Sequence, residues 1–255
     1  MLALIGGGSS GIGFGCAMSL AQSGFDVIIS GRRQEVLSQA ASRIENETSA
    51  RVTTVACDHA TKEGTLAIID KVASFGFLDV FVSNTGGPKP GTFDELSEDD
   101  LMKAHEQLLL FHIRMCKGLL PFLMKSDSGR IINILSAVVK EPDPFLTLSG
   151  VYRSSIVSLS KTMAKELAPS GITINNICPS AVITDRSRSL AKRQAEITGR
   201  TIEELDREAV EKIPMKRFQK PGDIGSLCAY LASDAAANLT GQTITIDGGA
   251  SDFLF

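Results

Sequence analysis

The residues best suited to chemistry in this chain stand at the ends of short apolar runs. Leu2 to Gly13, LALIGGGSSGIG, passes from apolar residues straight into a glycine cluster, and Phe14 to Ser23 then reads as a helix. A strand, a tight turn and a helix start in that order make a phosphate cradle. Gly7 can take backbone angles closed to other residues, Gly11 lets the main chain approach a pyrophosphate, Gly13 lets helix and strand pack closely, and free amides at the helix start face the anion. Asp26 to Ser30 (DVIIS) reads as a second strand, about 20 residues on, and runs into Gly31, Arg32 and Arg33. A site for NAD would usually put an acidic side chain there to hold the ribose 2′-hydroxyl. Two guanidiniums without a carboxylate match a 2′-phosphate, so NADP is expected in preference to NAD.

The elements that must position these groups alternate along the chain. Gln34 to Thr48 reads as an amphipathic helix, Arg51 to Ala56 as a third strand leading to Cys57 and Asp58, and Thr61 to Phe75 as a helix. Leu78 to Ser83 is a fourth strand closed by Asn84, Thr85, Gly86, Gly87 and Pro88. A capped start over Ser97 to Asp100 opens one long helix ending near Lys125; it is apolar on more than one face and so is expected to pack on the sheet and on a subunit partner. His105 and His112 fall on roughly one face of it and read as packed or partner-contacting residues rather than ligands. Gly129 to Leu135 is a fifth strand ending in Ser136, followed by a proline-containing loop at Lys140 to Pro144 and a helix through Ser149 to Ala168. Ile172 to Cys178 is a sixth strand with Pro179 and Ser180 at its end. Ile183 to Pro214 is a charged helical excursion placed as a substrate lid. A helix at Pro221 to Ser233 and a seventh strand at Gln242 to Ile246 complete the pattern. The expected fold is α/β: a single domain with a Rossmann-type, doubly wound, seven-stranded parallel sheet, helices on both faces and its ligand at the carboxyl ends of the strands.

Composition narrows the function classes. With 255 residues and 43% hydrophobic content, one α/β domain is the economical expectation. The net charge of −3, from 26 basic and 29 acidic residues without long runs of one sign, offers no polyanion-binding surface, so neither nucleic acid nor a membrane is an expected partner. Five scattered cysteines with no CxxC pair read as reduced, buried residues, and no metal is expected. Without a signal peptide or an apolar run near ~18 residues, a cytoplasmic location is expected.

GGGSSGIG at the first turn, CDH around Asp58, SNTGG, RIINILS, ITINNICPSAVIT and LTGQTITIDGG form a combination. Across essentially all of its length, the chain resembles the short-chain dehydrogenases/reductases, of the type that includes 3-oxoacyl-carrier-protein reductases. The resemblance implies a cofactor site at Gly7, Ser9, Ser10, Gly11, Ile12 and Gly13. It places Asp58 and His59 near the adenine, Asn84 and Gly86 in the second glycine-bearing turn, and Pro179 at the nicotinamide strand end. The carboxamide would be held by the backbone around Val182 and the hydroxyl of Thr184, and Ser136 would be the catalytic serine. Homodimers or homotetramers, with the two long central helices at an interface, are also implied.

The same family uses an asparagine, a serine, a tyrosine and a lysine, the last two as YxxxK. Counted from Ser136, and again from the SLSK segment ending at Lys161, the tyrosine position is Ser149 and the lysine position is Arg153. Tyr152 is the only nearby phenol, and the residue four after it is Ile156, so sliding the motif does not recover it. The asparagine position falls at about Leu108, with Gln107 beside it, and SNTGG departs from NNAG at Ser83 and Thr85. An aliphatic hydroxyl is a far weaker acid than a phenol, and an arginine does not deprotonate in proteins. Arg153 can instead supply fixed charge and hydrogen bonds to a ribose or a developing alkoxide. The expected function is an NADP-dependent oxidoreductase acting on a small-molecule carbonyl or alcohol, with the proton coming from Tyr152, from Ser149 through water, or from the substrate. The alternative is a non-catalytic nucleotide-sensing or partner-binding protein on the same scaffold.

Overall fold

Short runs rich in Ile and Val form the strands of this protein, and the longer mixed runs between them form helices. The computed structural model describes residues 1–254. In chain order the elements are β1 (Leu2–Gly6), α1 (Gly11–Gln22), β2 (Asp26–Gly31), α2 (Gln34–Glu47), β3 (Val52–Ala56), α3 (Lys62–Ala73) and β4 (Val80–Ser83). They continue as α4 (Glu98–Ala104), α5 (Phe111–Leu123), β5 (Arg130–Ile134), α6 (Thr147–Leu167), β6 (Thr173–Pro179), α7 (Asp185–Thr198), α8 (Ile202–Lys212), α9 (Pro221–Ala232) and β7 (Thr243–Ile246).

Every pairing is parallel, and the sheet runs β3-β2-β1-β4-β5-β6-β7. All residues of β1, β4, β5 and β6 are buried, as expected of parallel strands covered on both faces. One apolar core joins the sheet to α1, α2 and α9, with Leu20, Leu37, Ile44 and Leu231 fully enclosed. A second lies on the opposite face under α3, α5 and α6, around Phe81, Phe111, Met115 and Leu119. The chain order reverses between β1 and β4, and that switch opens a crevice at the carboxyl ends of the strands. No helix among the described residues is long and apolar enough to cross a membrane.

The strands and most helices fall where their sequence patterns predict. Two details differ. Helix α1 starts at Gly11 rather than Phe14, so the last glycines of the turn already lie in its first turn. The expected unbroken helix from Ser97 to Lys125 is instead interrupted by a π-helical segment, His105–Leu110. Its wider turn shifts the side-chain register. The two histidines consequently part company: His105 lies tilted against Tyr152, with ring centres 5.8 Å apart, whereas His112 is fully buried with Nδ1 3.1 Å from Ser83 Oγ.

Two imidazoles are sealed beneath the strand ends. His59 Nε2 lies 2.9 Å from Ser30 Oγ, and its ring stacks on Phe111 at 4.7 Å. Burial pushes both His59 and His112 down to about 4. Both are therefore neutral in the fold, whereas the unfolded chain protonates them below about 6.5. Between about pH 6.5 and about pH 4 the unfolded state binds more protons, so their stabilising contribution is complete above that window and drains away as pH falls through it. The expected loss approaches about 3 kcal/mol per histidine. Urea unfolding at several pH values, with His112→Gln for comparison, measures it: the variant should show the shallower slope, and equal slopes would contradict neutral burial of His112.

Candidate active site

A cavity of about 1070 Å³ opens along the carboxyl ends of the strands. Its walls include Gly7, Ser9, Ser10, Gly11, Ile12, Gly13, Arg32, Arg33, Asp58, His59, Asn84 and Gly86 at one end, and Ser136, Ser149, Arg153, Pro179, Val182 and Thr184 further along. Tyr152 is not among its lining residues. Its ring packs on His105 instead: position 152 neighbours Ser149 on α6 but lies on the other side of it from Arg153, towards the π-helical segment. The candidate proton donor at Tyr152 is thereby removed from the cleft.

The first turn has the form of a phosphate cradle. Gly7 and Gly11 have φ of 60° and 54°, conformations that favour glycine. Ser10 precedes α1 in extended backbone and makes no side-chain cap, so the amides of the first helical turn have no capping side chain. Asn84 braces the turn rather than facing outward, donating Nδ2 to the carbonyl of Gly6 at 2.8 Å. Arg32 and Arg33 at the end of β2 are exposed and make no ion pair among the described residues. Asp58 is exposed beyond β3, but the His59 side chain turns inward to Ser30 and Phe111. These residues fit a dinucleotide bearing a 2′-phosphate: glycine backbone for the diphosphate and paired guanidiniums for the extra phosphoryl group.

The second group gathers around the end of β5. Arg153 on α6 is buried, at 8% exposure, and donates Nε to Ser149 Oγ at 3.1 Å and Nη1 to the carbonyl of Ile134 at 2.9 Å. Burial lowers its pKa to about 10, with the nearby guanidinium of Arg186 adding a like-charge push, and it remains a cation at neutral pH. Cys178 beside it is held as a neutral thiol, pushed up to about 11 by burial. Ser136 is half-buried at the same strand end. Because Ser149 Oγ accepts from Arg153, its own proton is free to point into the cleft. A hydroxyl pair beside a buried cation can hold a carbonyl oxygen and stabilise negative charge developing on it.

Arg186 in this wall and Gln219 behind it were not singled out by the sequence pattern, and Gln107 stood there only as the neighbour of the asparagine position. Gln107, brought round by the π segment, donates Nε2 to the carbonyl of Gly86 at 2.8 Å and lines the cleft, while neighbouring Leu108 is buried. Gln219 clamps the loop after β6: its backbone bonds Ala181 and Ile183, its Oε1 accepts from Ser180, and its Nε2 donates to the carbonyl of Ile246. Arg186, in the first turn of α7, donates Nη2 to the carbonyl of Pro88 at 2.5 Å. Thr184 is the N-cap of α7, sharing a capping box with Ser187, and its methyl group abuts Gly11.

Residues 7–251 match the family model described as Enoyl-(Acyl carrier protein) reductase. The NADPH-dependent reductase BacG of Bacillus subtilis is 29% identical over 250 residues, covering 97% of this chain and 96% of that protein. The 3-oxoacyl-[acyl-carrier-protein] reductase FabG of Staphylococcus epidermidis is 31% identical over 251 residues, with 97% of both chains covered. Among solved structures, L-sorbose reductase from Gluconobacter frateurii, complexed with NADPH and L-sorbose, superposes with a TM-score of 0.93 at 29% identity, covering 99% of this chain and 97% of that one. In its sheet order, its cleft at the strand ends and its match from end to end, the chain belongs to the short-chain dehydrogenase/reductase family.

Proposed function

We propose that this protein is an NADP-dependent oxidoreductase acting on a small-molecule carbonyl or alcohol. The observation that carries this reading is one continuous cleft joining the glycine turn and the unpaired Arg32 and Arg33 to the buried Ser149–Arg153 pair beside Ser136. The nicotinamide ring, when bound, supplies or accepts the hydride. Gly7 to Gly13 hold the diphosphate, Arg32 and Arg33 the 2′-phosphate, and Val182 with Thr184 the carboxamide. Ser136 and Ser149 donate hydrogen bonds to the substrate oxygen, and Arg153 stabilises charge on it electrostatically. Protonation of that oxygen draws on solvent through Ser149, since the arginine keeps its proton. Residues 1–255 act as one dinucleotide-binding domain, with 183–214 as the lid over the substrate end. A homodimer or homotetramer is supported by exposed Leu101 and Val151 on α4 and α6. We place the protein in the cytoplasm.

Calorimetry with NADPH and NADH, followed by NADPH oxidation against a panel of carbonyl compounds, tests this reading. NADPH should bind more tightly than NADH, and Arg32→Asp should shift that preference towards NADH by about tenfold or more, the worth of one charge-assisted contact. An unchanged preference would remove the role given to Arg32. Binding without turnover of any carbonyl would favour a nucleotide-sensing protein, and binding of neither dinucleotide would refute the reading entirely.

A further inference from the structure

Resting on the reductase function above, we propose that the carbonyl substrate of this cleft is itself anionic, carrying a carboxylate or a phosphate that docks between Arg153 and Arg186. A buried charge is ordinarily paired, because leaving it alone in a poorly solvated site is costly. Arg153 is buried yet has only neutral partners, a hydroxyl and a carbonyl. Its Nη2 makes no hydrogen bond among the described residues, and the residue lines the cleft, which leaves that donor for a substrate group. Arg186 reaches into the same space from α7. Its guanidinium lies across Gly87, where an added Cβ would stand 3.0 to 3.2 Å from Nε, Nη2 and Cζ, and its one hydrogen bond goes to Pro88.

Apart from Arg32 and Arg33 at the cofactor end, the other cations of the cleft are paired. Lys89 pairs with Asp100, Lys103 with Asp99, and Arg188 with Asp206. Of the acids of the wall, Glu106 pairs with Arg114, Asp185 makes no ion pair with the neighbouring Arg186 although both are exposed at the start of α7, and Asp58 follows the edge strand β3, four strand positions from β5. What is left is positive charge at two guanidiniums that repel one another until an anion enters. The dinucleotide diphosphate is the other possible source of that anion. Arg186 lies against Gly87 and Pro88 and is close enough to Arg153 for the two guanidiniums to repel, which sets it at the Arg153 end of the cleft.

The test uses the protein saturated with NADPH and two matched pairs of probes, pyruvate with methyl pyruvate and acetoacetate with methyl acetoacetate. Binding is followed by NADPH fluorescence and turnover by NADPH absorbance. At least one acid should half-saturate at about a tenfold lower concentration than its ester. Arg186→Gln should erase that advantage while holding the Kd for NADPH within about twofold, and Arg153→Lys should keep part of it. Acids binding no better than esters, or no acid binding at all, would overturn the proposal. So would an Arg186→Gln variant that loses NADPH affinity in step with acid affinity, since the anion would then be the cofactor diphosphate. Preferential binding of acids without turnover would uphold the anion site and count against the reductase function; equal turnover of acids and esters would do the reverse.

Discussion

Arg153→Met is expected to lower kcat/KM by two to three orders of magnitude, roughly the cost of removing one preorganised group that stabilises charge on a reacting oxygen, in a protein that stays folded and binds NADPH. The side chain is nearly enclosed, orients Ser149 through a 3.1 Å bond and is anchored on the carbonyl of Ile134 at 2.9 Å. No phenol lines this part of the cleft, since Tyr152 is turned towards His105. Charge on the substrate oxygen must therefore be met by this fixed cation. Methionine matches the length of the aliphatic stem without the charge; the cost of leaving the carbonyl of Ile134 without its donor, about 1–3 kcal/mol, is offset by no longer burying an unpaired cation. A melting temperature close to the parent's, together with the lost turnover, would separate the chemical role from a structural one. Parental turnover in Arg153→Met would refute the role given to the guanidinium. The pH profile adds a second check: with the arginine pKa at about 10 and two aliphatic hydroxyls around it, kcat should show no inflection from this group near neutrality.

Gly13→Ala should abolish dinucleotide binding and destabilise the fold by about 3 kcal/mol, at the upper end for overpacking in a site that cannot relax. A Cβ at this position would overlap the carbonyl oxygen of Gly7 and stand 2.7 Å from its carbonyl carbon and 2.8 Å from Asn84 Nδ2. Two of these obstacles are backbone atoms, and Asn84 is itself tied to Gly6. The turn can admit the methyl group only by opening, which moves the amides that would face the diphosphate. A drop in melting temperature of roughly 10 °C, with no calorimetric signal for NADPH, is the expected result. Gly222→Ala is the control, because nothing stands within 4 Å of a Cβ there; its effect should stay within about 0.5 kcal/mol. A fully stable, NADPH-binding Gly13→Ala protein would contradict the close packing of the turn.

The order of strands and helices, the glycine turn and the arginines after β2 were legible in the sequence by itself. Strands buried on both faces are written as continuous apolar runs, and the residues that end them are carried by the sheet to one edge, so Gly7, Arg32, Asn84, Ser136 and Pro179 line one cleft. The register that makes Ser149 and Arg153 neighbours was equally readable, since residues four apart share a helix face. Only the tertiary structure decided which aromatic and amide groups reach the cleft. The π segment shifts the register of its helix, bringing Gln107 to Gly86 and setting His105 against Tyr152. No periodicity announces that extra residue in a turn. Arg186 and Gln219 likewise meet partners 98 and 39 residues away. Such pairings arise from the crossing of α7 and the loop before α9 over the strand ends, which local pattern does not encode.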